Sequence, residues 1–337
     1  MARLDSPSIL RGSRQDGHGG QRRSSRVGGA LSLLAVGLLA ASIAGFFGRE
    51  GPAGWALDLL GQVRPQYVVG FVALATILVA LRWWKTAALA LAGAVVNAVV
   101  VLPYLTGAST PVVTGETLTV MSLNVKIRQA DPVAVAEYLR TSDVDLVYFF
   151  AVVEPWLDAL MDAGVPHDPL VSRGGRGGLE IAVLGRSPIV ETTVHAWGRD
   201  PRSMAAEVVV PFEGGRVRVL GTHPLSPRSP GNAAQRNQQL TRVAEWAAEQ
   251  TDPVLVVGDL NATPWSHAFR ALISDSGLVN SLVGAGLQPS WPAVLGPLGI
   301  PIDHALHSPA LVTVSRELGP SFGSEHRSVI VTVARAR

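Results

Sequence analysis

The chain has 337 residues, of which 47% are hydrophobic and 16% are charged, and its formal net charge is +2. A chain this apolar is not a single soluble domain, and its apolar residues are concentrated towards the N-terminus. The absence of cysteine excludes disulfides and thiolate metal sites. Basic residues cluster in the N-terminal tail, where they fit contact with anionic lipid better than binding of nucleic acid.

Three apolar runs near the N-terminus predict three membrane-spanning helices, since one span needs about 20 apolar residues. The runs cover residues 27–48, 65–81 and 86–107. A cleaved signal peptide is the alternative for the first run, but that run is long and has no small-residue cleavage site followed by polar sequence. The sequence therefore predicts a disordered basic cytoplasmic tail over 1–26 and a three-helix transmembrane region over 27–107.

The basic residues that flank the apolar runs predict the orientation. Six arginines precede the first run, and Arg82 and Lys85 lie between the second run and the third. By the positive-inside rule, the N-terminus and the loop that contains Arg82 are cytoplasmic. Three spans then place everything after residue 107 on the outer side of the membrane.

After a linker over 108–116 the pattern changes to strands that alternate with helices, which predicts an α/β domain over 117–337. The predicted strands are short and rich in β-branched residues, and they cover 117–124, 145–152, 180–184, 205–210, 216–222, 254–257, 303–308 and 329–333. The predicted helices have amphipathic spacing and cover 131–141 and 232–250.

Polar side chains with catalytic potential lie at or beside the ends of these strands. They are Asn124, His223, Asp259, Asn261, Asp303, Glu325 and His326. Each alone has a structural explanation, because Asn and Asp favour turns and a single histidine is more often a hydrogen-bonding group. Their shared position at the strand ends of one α/β domain instead indicates a site for metal-assisted phosphoester chemistry.

The order of these motifs resembles that of the endonuclease/exonuclease/phosphatase superfamily, and most closely its bacterial membrane-anchored branch. The motifs are Ser122-Leu123-Asn124, Gly221-Thr222-His223, Gly258-Asp259-Leu260-Asn261, Ile302-Asp303-His304 and Gly323-Ser324-Glu325-His326. The resemblance implies a four-layer α/β sandwich, in which two packed mixed β-sheets are flanked by helices. With three transmembrane helices before it, the chain is expected to be a multi-pass protein of the bacterial inner membrane.

Three of the residues would hold the cofactor that the resemblance implies, which is Mg²⁺ or Mn²⁺. Asn124 would bind the metal ion or its waters. Asp303 would support the metal or the catalytic histidine. Glu325, at a position where the superfamily has Asp, would be a further ligand. Such an ion offsets the negative charge that builds on phosphoryl oxygens during hydrolysis.

The other four residues would act on the phosphate and on the attacking water. The resemblance implies that His223 contacts the scissile phosphate and that Asn261 donates to the phosphoryl oxygens. Asp259 would orient or deprotonate the water, and His326 would lie close to the phosphate. Together these roles predict a phosphoester hydrolase of the phosphodiesterase, phosphatase or nuclease type.

Two positions depart from the superfamily pattern. Ala151 occupies the place of the glutamate that is the principal metal ligand, and alanine offers no oxygen. Because Mg²⁺ is held through few carboxylates, the metal site is expected to be weakened or lost unless Glu154 or Glu180 compensates. Glu325 adds a methylene that could displace His326 by about 1 Å, and misplacement of that size can lower the rate about 10²-fold.

Three functional hypotheses follow from these observations. The first is a membrane-anchored, outward-facing phosphoester hydrolase, whose substrate is a lipid head group, an envelope component or nucleic acid. The second is a catalytically inactive pseudoenzyme that serves as a binding or scaffold module at the cell surface, as Ala151 and Glu325 indicate. The third is a membrane-sensing or lipid-binding role in which the three helices carry the function, for which Asn97 is the single hint. The expected partner is the lipid bilayer, and no feature calls for an obligate protein partner.

Overall fold

The computed structural model describes residues 18–48, 51–107, 115–173, 181–186, 189–197 and 204–336. These residues form an N-terminal group of helices and an α/β domain. The N-terminal helices are α1 (His18–Ala44), α2 (Gly51–Gly61), α3 (Arg64–Ala80) and α4 (Trp84–Leu105). Of the predicted linker only residues 115 and 116 are described, and Glu180 lies outside the described residues.

Two of these helices are long and apolar enough to cross a membrane, namely α1 over Val27–Ala44 and the whole of α4. The remaining predicted span corresponds to α3, which qualifies only together with α2, and the two helices are bent by 59° at the break between them. Buried apolar side chains such as Phe71 and Leu78 pack α3 against its neighbours. The described helices therefore supply two candidate spans, or three if the bent pair counts as one.

Two helical segments of this region do not appear as apolar runs in the sequence. α1 begins at His18, so residues 18–26, which the sequence assigns to a disordered tail, are helical in the structure. The segment between the first two apolar runs contains α2, which has 11 residues. A helix this short has little stability of its own in water, so it depends on tertiary contacts that a local sequence pattern does not reveal.

The first of two six-stranded sheets is mixed. Its strands are β1 (Leu118–Asn124), β2 (Leu146–Phe150), β3 (Asp168–Arg173), β4 (Ile181–Gly185), β11 (Leu311–Leu318) and β12 (Val329–Arg335). Their order across the sheet is β11-β12-β1-β2-β4-β3. β1 and β2 run parallel, whereas the other neighbouring strands run antiparallel.

The second six-stranded sheet is also mixed. Its strands are β5 (Glu191–Ala196), β6 (Met204–Phe212), β7 (Gly215–Thr222), β8 (Val254–Asp259), β9 (Val279–Asn280) and β10 (Asp303–His307). Their order is β5-β6-β7-β8-β10-β9. β7 and β8 form the parallel pair, and β10 runs antiparallel to β8.

The two sheets face each other and share one apolar core, which contains Val120 and Tyr148 of the first sheet and Val219 of the second. Helices cover both outer faces, namely α5 (Pro132–Thr141) and α6 (Glu154–Asp162) on the first sheet and α7 (Pro230–Glu249) and α8 (His267–Ser276) on the second. This arrangement is the four-layer sandwich that the sequence predicts. Its sheet ends position the polar residues described next.

Candidate active site

Strands of both sheets bring the predicted residues to one edge of the sandwich. Asn124 is the last residue of β1, Asp259 is the last residue of β8, and His223 directly follows β7. Asp303 begins β10 and pairs in register with Asp259. His326 reaches the same edge from the loop between β11 and β12. Residues far apart in the chain therefore meet because the strands that carry them end at one place.

Asp259 lies at the centre of a buried polar cluster. Its Oδ2 accepts a hydrogen bond from Nδ2 of Asn124 at 2.9 Å. The same oxygen lies 3.5 Å from Nε2 of His223 and 3.7 Å from Nε2 of His326. Burial alone would raise the pKa of Asp259, but the two histidines and the Asn124 amide outweigh it and hold that pKa well below its usual range. Asp259 is therefore an ionised carboxylate.

His326 and Asp303 form a second buried contact, in which Nδ1 of His326 lies 3.0 Å from Oδ2 of Asp303. Ser290 supports this pair, since its Oγ accepts the backbone N–H of Asp303 at 3.1 Å. Burial lowers the pKa of His326, but the carboxylates of Asp303 and Asp259 outweigh burial and raise the pKa to about 9. His326 is therefore an imidazolium at neutral pH, and both of its ring nitrogens donate.

Asn261 occupies the turn after β8 in a left-handed conformation, with φ of 50°. Its backbone N–H donates to Oδ1 of Asp259 at 3.0 Å, and its Nδ2 donates to the Pro224 carbonyl at 2.9 Å. An amide has two N–H donors, so this contact leaves one for a ligand. The turn requires Gly258, because a Cβ at that position would lie 1.9 Å from the Thr222 carbonyl oxygen.

The cluster opens onto a cavity of about 710 Å³. Six residues of the cluster and its rim line the cavity, namely Asn124, Ala151, His223, Asp259, Asn261 and His326. Lys126 and Arg228 add positive charge to the same wall, which suits an anionic ligand. The cavity is therefore a pocket with convergent polar groups and a basic rim, as expected of a binding site for a phosphoester.

The residues present fit a divalent cation only weakly. Asp259, Asp303 and His326 offer ligand atoms that lie within 4.8 Å of one another, so they could hold a metal ion. These atoms are already paired with each other, and a protonated His326 must release its proton to bind a metal. Ala151 faces the cavity from the end of β2 and contributes no oxygen there. A bound cation would thus have one carboxylate fewer than the superfamily pattern provides.

Neither Glu325 nor Glu154 fills this gap. Contrary to expectation, the Glu325 carboxylate lies outside the buried cluster, is 45% exposed and pairs with Nζ of Lys126 at 3.0 Å. The extra methylene of Glu325 has not moved His326 away from Asp303, because the two side chains remain in contact. Glu154 is the exposed first residue of α6.

The sequence did not predict that the N-terminal helices contact the turn that follows Asp259. Oε1 of Gln62, just after α2, accepts from the backbone N–H of Thr263 at 3.0 Å and from its hydroxyl at 2.7 Å. Nε1 of Trp265 donates to the Gln62 carbonyl at 2.9 Å. The available signal was a pair of polar residues, Asp58 and Gln62, spaced one helical turn apart in an otherwise apolar region.

Arg236 of α7 completes this support from the other side. Its guanidinium is buried, and Nη1 donates to the Asn261 carbonyl at 2.7 Å. Nη2 lies 3.3 Å from Oδ2 of Asp58. Asn261 and Thr263 lie two and four residues after Asp259. Contacts from α7 and from residues in and just after α2 therefore fix the backbone next to the Asp259 carboxylate.

Two packed mixed sheets with a polar cluster at their shared edge define an α/β protein of the DNase I-like fold class. The family model for the Endonuclease/Exonuclease/phosphatase family matches residues 121–326, and the chain belongs to this family. The match contains all seven residues that the sequence singles out. Assignment to a bacterial membrane-anchored branch stays a prediction.

Solved structures share the fold at low sequence identity. An endonuclease/exonuclease/phosphatase from Bacteroides vulgatus is 14% identical and has a TM-score of 0.56, with 66% of this chain and 100% of that chain covered. D. rerio TDP2 complexed with single strand DNA product is 16% identical, with a TM-score of 0.53 and coverage of 65% and 99%.

A family protein from Beutenbergia cavernae is 21% identical, with a TM-score of 0.51 and coverage of 65% and 72%. A search of curated proteins found no match. At these identities the likeness concerns the fold alone.

Proposed function

We propose that this chain is a membrane-anchored phosphoester hydrolase whose active site is the cluster around Asp259. One observation carries the proposal. An ionised Asp259 is held by Asn124 and faces a protonated His326, which in turn pairs with Asp303, at the wall of a cavity with a basic rim. A fixed acceptor for water beside fixed donors for phosphate is the arrangement that hydrolysis of a phosphoester needs.

The residues divide the chemistry between them. Asp259 orients the attacking water through its fixed carboxylate, and the water oxygen bonds to phosphorus as the ester P–O bond breaks. The proton that this water releases passes to solvent in the open cavity. His326 donates from Nε2 to a phosphoryl oxygen, and His223 and Asn261 contact the other oxygens. The leaving oxygen takes a proton from water in the open cavity. Each positioned acid or base contributes about 10²- to 10⁴-fold to the rate.

A divalent cation, when bound between Asp259 and Asp303, would offset the charge that develops on the phosphoryl oxygens. Asn124 is less suited to bind it, because its Oδ1 already accepts the backbone N–H of Lys126 at 2.9 Å. The donor set therefore supports weak binding of Mg²⁺ or Mn²⁺. The positive charges of Lys126 and Arg228 in the cavity wall offset part of this phosphoryl charge without a metal.

We further propose that the chain is a multi-pass protein of the bacterial inner membrane, with its N-terminus in the cytoplasm and its α/β domain outside. The candidate spans support membrane anchoring. The six arginines of the tail and the pair Arg82 and Lys85 support the orientation, provided that the bent pair α2 and α3 counts as one span.

The full chain, purified in detergent and returned to nanodiscs, provides the test. It is incubated with bis(4-nitrophenyl) phosphate, single-stranded DNA and phospholipids, each with Mn²⁺, with Mg²⁺ or with a chelator. We expect turnover of at least one class of phosphoester and its loss in the His326→Ala variant. Absence of turnover with every substrate, or equal turnover by the variant, contradicts the proposal.

One observation favours a second candidate, a catalytically inactive binding module. Ala151 removes the principal metal ligand while the hydrogen bonds of Asp259, His326 and Asp303 remain in place. Such a cluster could bind a phosphate group without hydrolysing it. If the present chain is inactive and the Ala151→Glu variant hydrolyses a phosphoester, this candidate is correct. Turnover by the present chain excludes it.

A further inference from the structure

An uncharged apolar segment lies beside the cavity, and its tip is exposed. Residues 291–300 contain no charged side chain. Within them the 3₁₀ helix Ala293–Leu298 exposes Val294 by 89%, Leu295 by 50% and Leu298 by 61%. Large apolar side chains exposed together mark a surface that meets a partner or a membrane.

The base of the 291–300 segment is fixed, so its tip has a defined position. Trp291 and Ile300 pair across the base, with the Trp291 N–H 3.1 Å from the Ile300 carbonyl and the Ile300 N–H 2.6 Å from the Trp291 carbonyl. Both residues line the catalytic cavity. The Ala293 N–H also donates to the Glu325 carbonyl at 2.7 Å, next to His326. The segment therefore joins the cavity mouth to the exposed tip.

The tip lies beside the first turn of α3. Nε2 of Gln66 donates to the Leu298 carbonyl at 2.8 Å and to the Gly299 carbonyl at 2.9 Å. Gln66 belongs to the first turn of α3 and is the second residue of the apolar run over 65–81. The tip therefore adjoins the end of α3 at which this apolar run begins.

The end of α4, which is a candidate span, also contacts the domain, so the domain begins at the depth at which a bilayer would end. The carbonyls of Pro103 and Tyr104, near the end of α4, accept from the N–H groups of Gly284 and Gly286 at 3.1 and 2.8 Å. Leu59 of α2 is 38% exposed and also lines the cavity. The candidate span α4, the start of α3 and the cavity mouth thus adjoin one face of the domain.

We infer that the 291–300 segment inserts its apolar tip into the adjacent leaflet of the bilayer and directs the cavity towards the lipid head groups. The substrate is then a phosphoester of a lipid head group. Continuity with the candidate spans and the lack of charge favour a bilayer over a second protein as the occupant. The identity of the substrate rests on the proposed function, whereas the membrane contact does not.

Because the chain has no cysteine, a single label can report on the tip. The Val294→Cys variant carries a nitrobenzoxadiazole probe in full-length protein, in nanodiscs of phosphatidylcholine and phosphatidylglycerol. Val190→Cys is the matched control, since Val190 is 61% exposed and precedes β5. The Val190 N–H donates to the Val209 carbonyl, and Val209 pairs with Arg218 in the middle of β7. Val190 therefore lies away from the end of β7 that His223 follows.

We expect doxyl-labelled lipid to quench the probe at position 294 severalfold more strongly than the probe at position 190, and aqueous iodide to quench it less. Equal quenching by iodide at both positions overturns the membrane contact. A probe at position 294 that neither agent quenches also overturns it, because another protein surface then covers the tip.

A double variant, Val294→Asp with Leu298→Asp, tests the substrate. Both side chains are exposed, so the charges do not disturb the core. With phosphatidylglycerol, phosphatidylethanolamine and phosphatidic acid in the bilayer, we expect lipid hydrolysis to fall roughly tenfold. Hydrolysis of bis(4-nitrophenyl) phosphate in solution should stay unchanged.

An equal fall in both activities, or turnover of the soluble ester with none of the lipids, overturns the lipid substrate. If the parent chain hydrolyses neither, the proposed function fails, while the quenching experiment still decides the membrane contact.

Discussion

Asp58 and Arg236 form a buried ion pair between the N-terminal helices and the α/β domain, with Oδ2 of Asp58 3.3 Å from Nη2 of Arg236. The side chains are only 9% and 2% exposed. The same guanidinium donates to the Asn261 carbonyl, two residues beyond Asp259. The helix next to the candidate spans is thereby connected to the active-site turn through one side chain.

Removal of the carboxylate is therefore expected to destabilise the protein. The Asp58→Ala variant leaves a buried guanidinium without its partner, which typically costs about 3–5 kcal/mol of unfolding free energy. Urea unfolding of the full chain in detergent, followed by tryptophan fluorescence, measures the change.

Glu245→Ala is the matched control, since it breaks an exposed pair with Arg242 on the same helix. An exposed pair contributes about 0–1 kcal/mol. Equal stability of the two variants would show that the buried pair does not hold the domain to α2.

The stability of the protein should depend on pH through His326. Its pKa is about 9 in the folded chain, against an ordinary value of 6.5. Because folding raises this pKa, the stabilisation is complete below about pH 6.5 and is lost as the pH rises through about 9. Unfolding free energies measured at about pH 6 and about pH 9.5 should therefore differ in the native chain, and by less in His326→Gln. An identical pH dependence in both proteins would assign the effect to other groups.

Asp303 is expected to act on catalysis through His326, whose Nδ1 it holds. The Asp303→Asn variant removes the charge that keeps the imidazole protonated. It should lower kcat by about 10²-fold or more, in the range of a lost acid–base contribution. It should also lower the pKa of His326, which NMR titration of the ring protons can follow. A fall in kcat without a change in that pKa would point to a structural effect instead.

A carboxylate at position 151 should strengthen metal binding. Ala151 already faces the cavity, so Ala151→Glu adds an oxygen ligand, and Ala151→Gln adds the same bulk without charge. We expect calorimetric titration of Mn²⁺ to give affinity higher by roughly 10- to 100-fold in the Glu variant. Similar affinities in the Glu and Gln variants would mean that position 151 does not reach the ion.

The central strands of the two sheets were predictable from the sequence, whereas the edge strands were not. The central strands are buried on both faces and appear as continuous apolar runs, as in β2 and β8. The four strands that the sequence did not predict, β3, β5, β9 and β11, are the edge strands of the two sheets. Edge strands are partly solvated and carry polar residues, as the exposed Glu191 and Thr192 of β5 illustrate.

The residues of the candidate site were predictable for a related reason. Asn124 and Asp259 end recognisable strands and His223 directly follows one, and strand ends converge in an α/β sandwich. The residues that support them, such as Gln62 and Arg236, could not be found in this way. They act through contacts between elements far apart in the chain, and no local pattern records such contacts.

The most direct test of the central claim compares Asp259→Asn with Asp275→Asn in the full chain. Asp275 is an exposed residue of α8, so its substitution controls for a change of one charge. With bis(4-nitrophenyl) phosphate and Mn²⁺, we predict that Asp259→Asn lowers kcat by about 10²- to 10⁴-fold while Asp275→Asn retains it. Turnover by Asp259→Asn equal to that of the native chain would contradict the assignment of this cluster as a phosphoester hydrolase site.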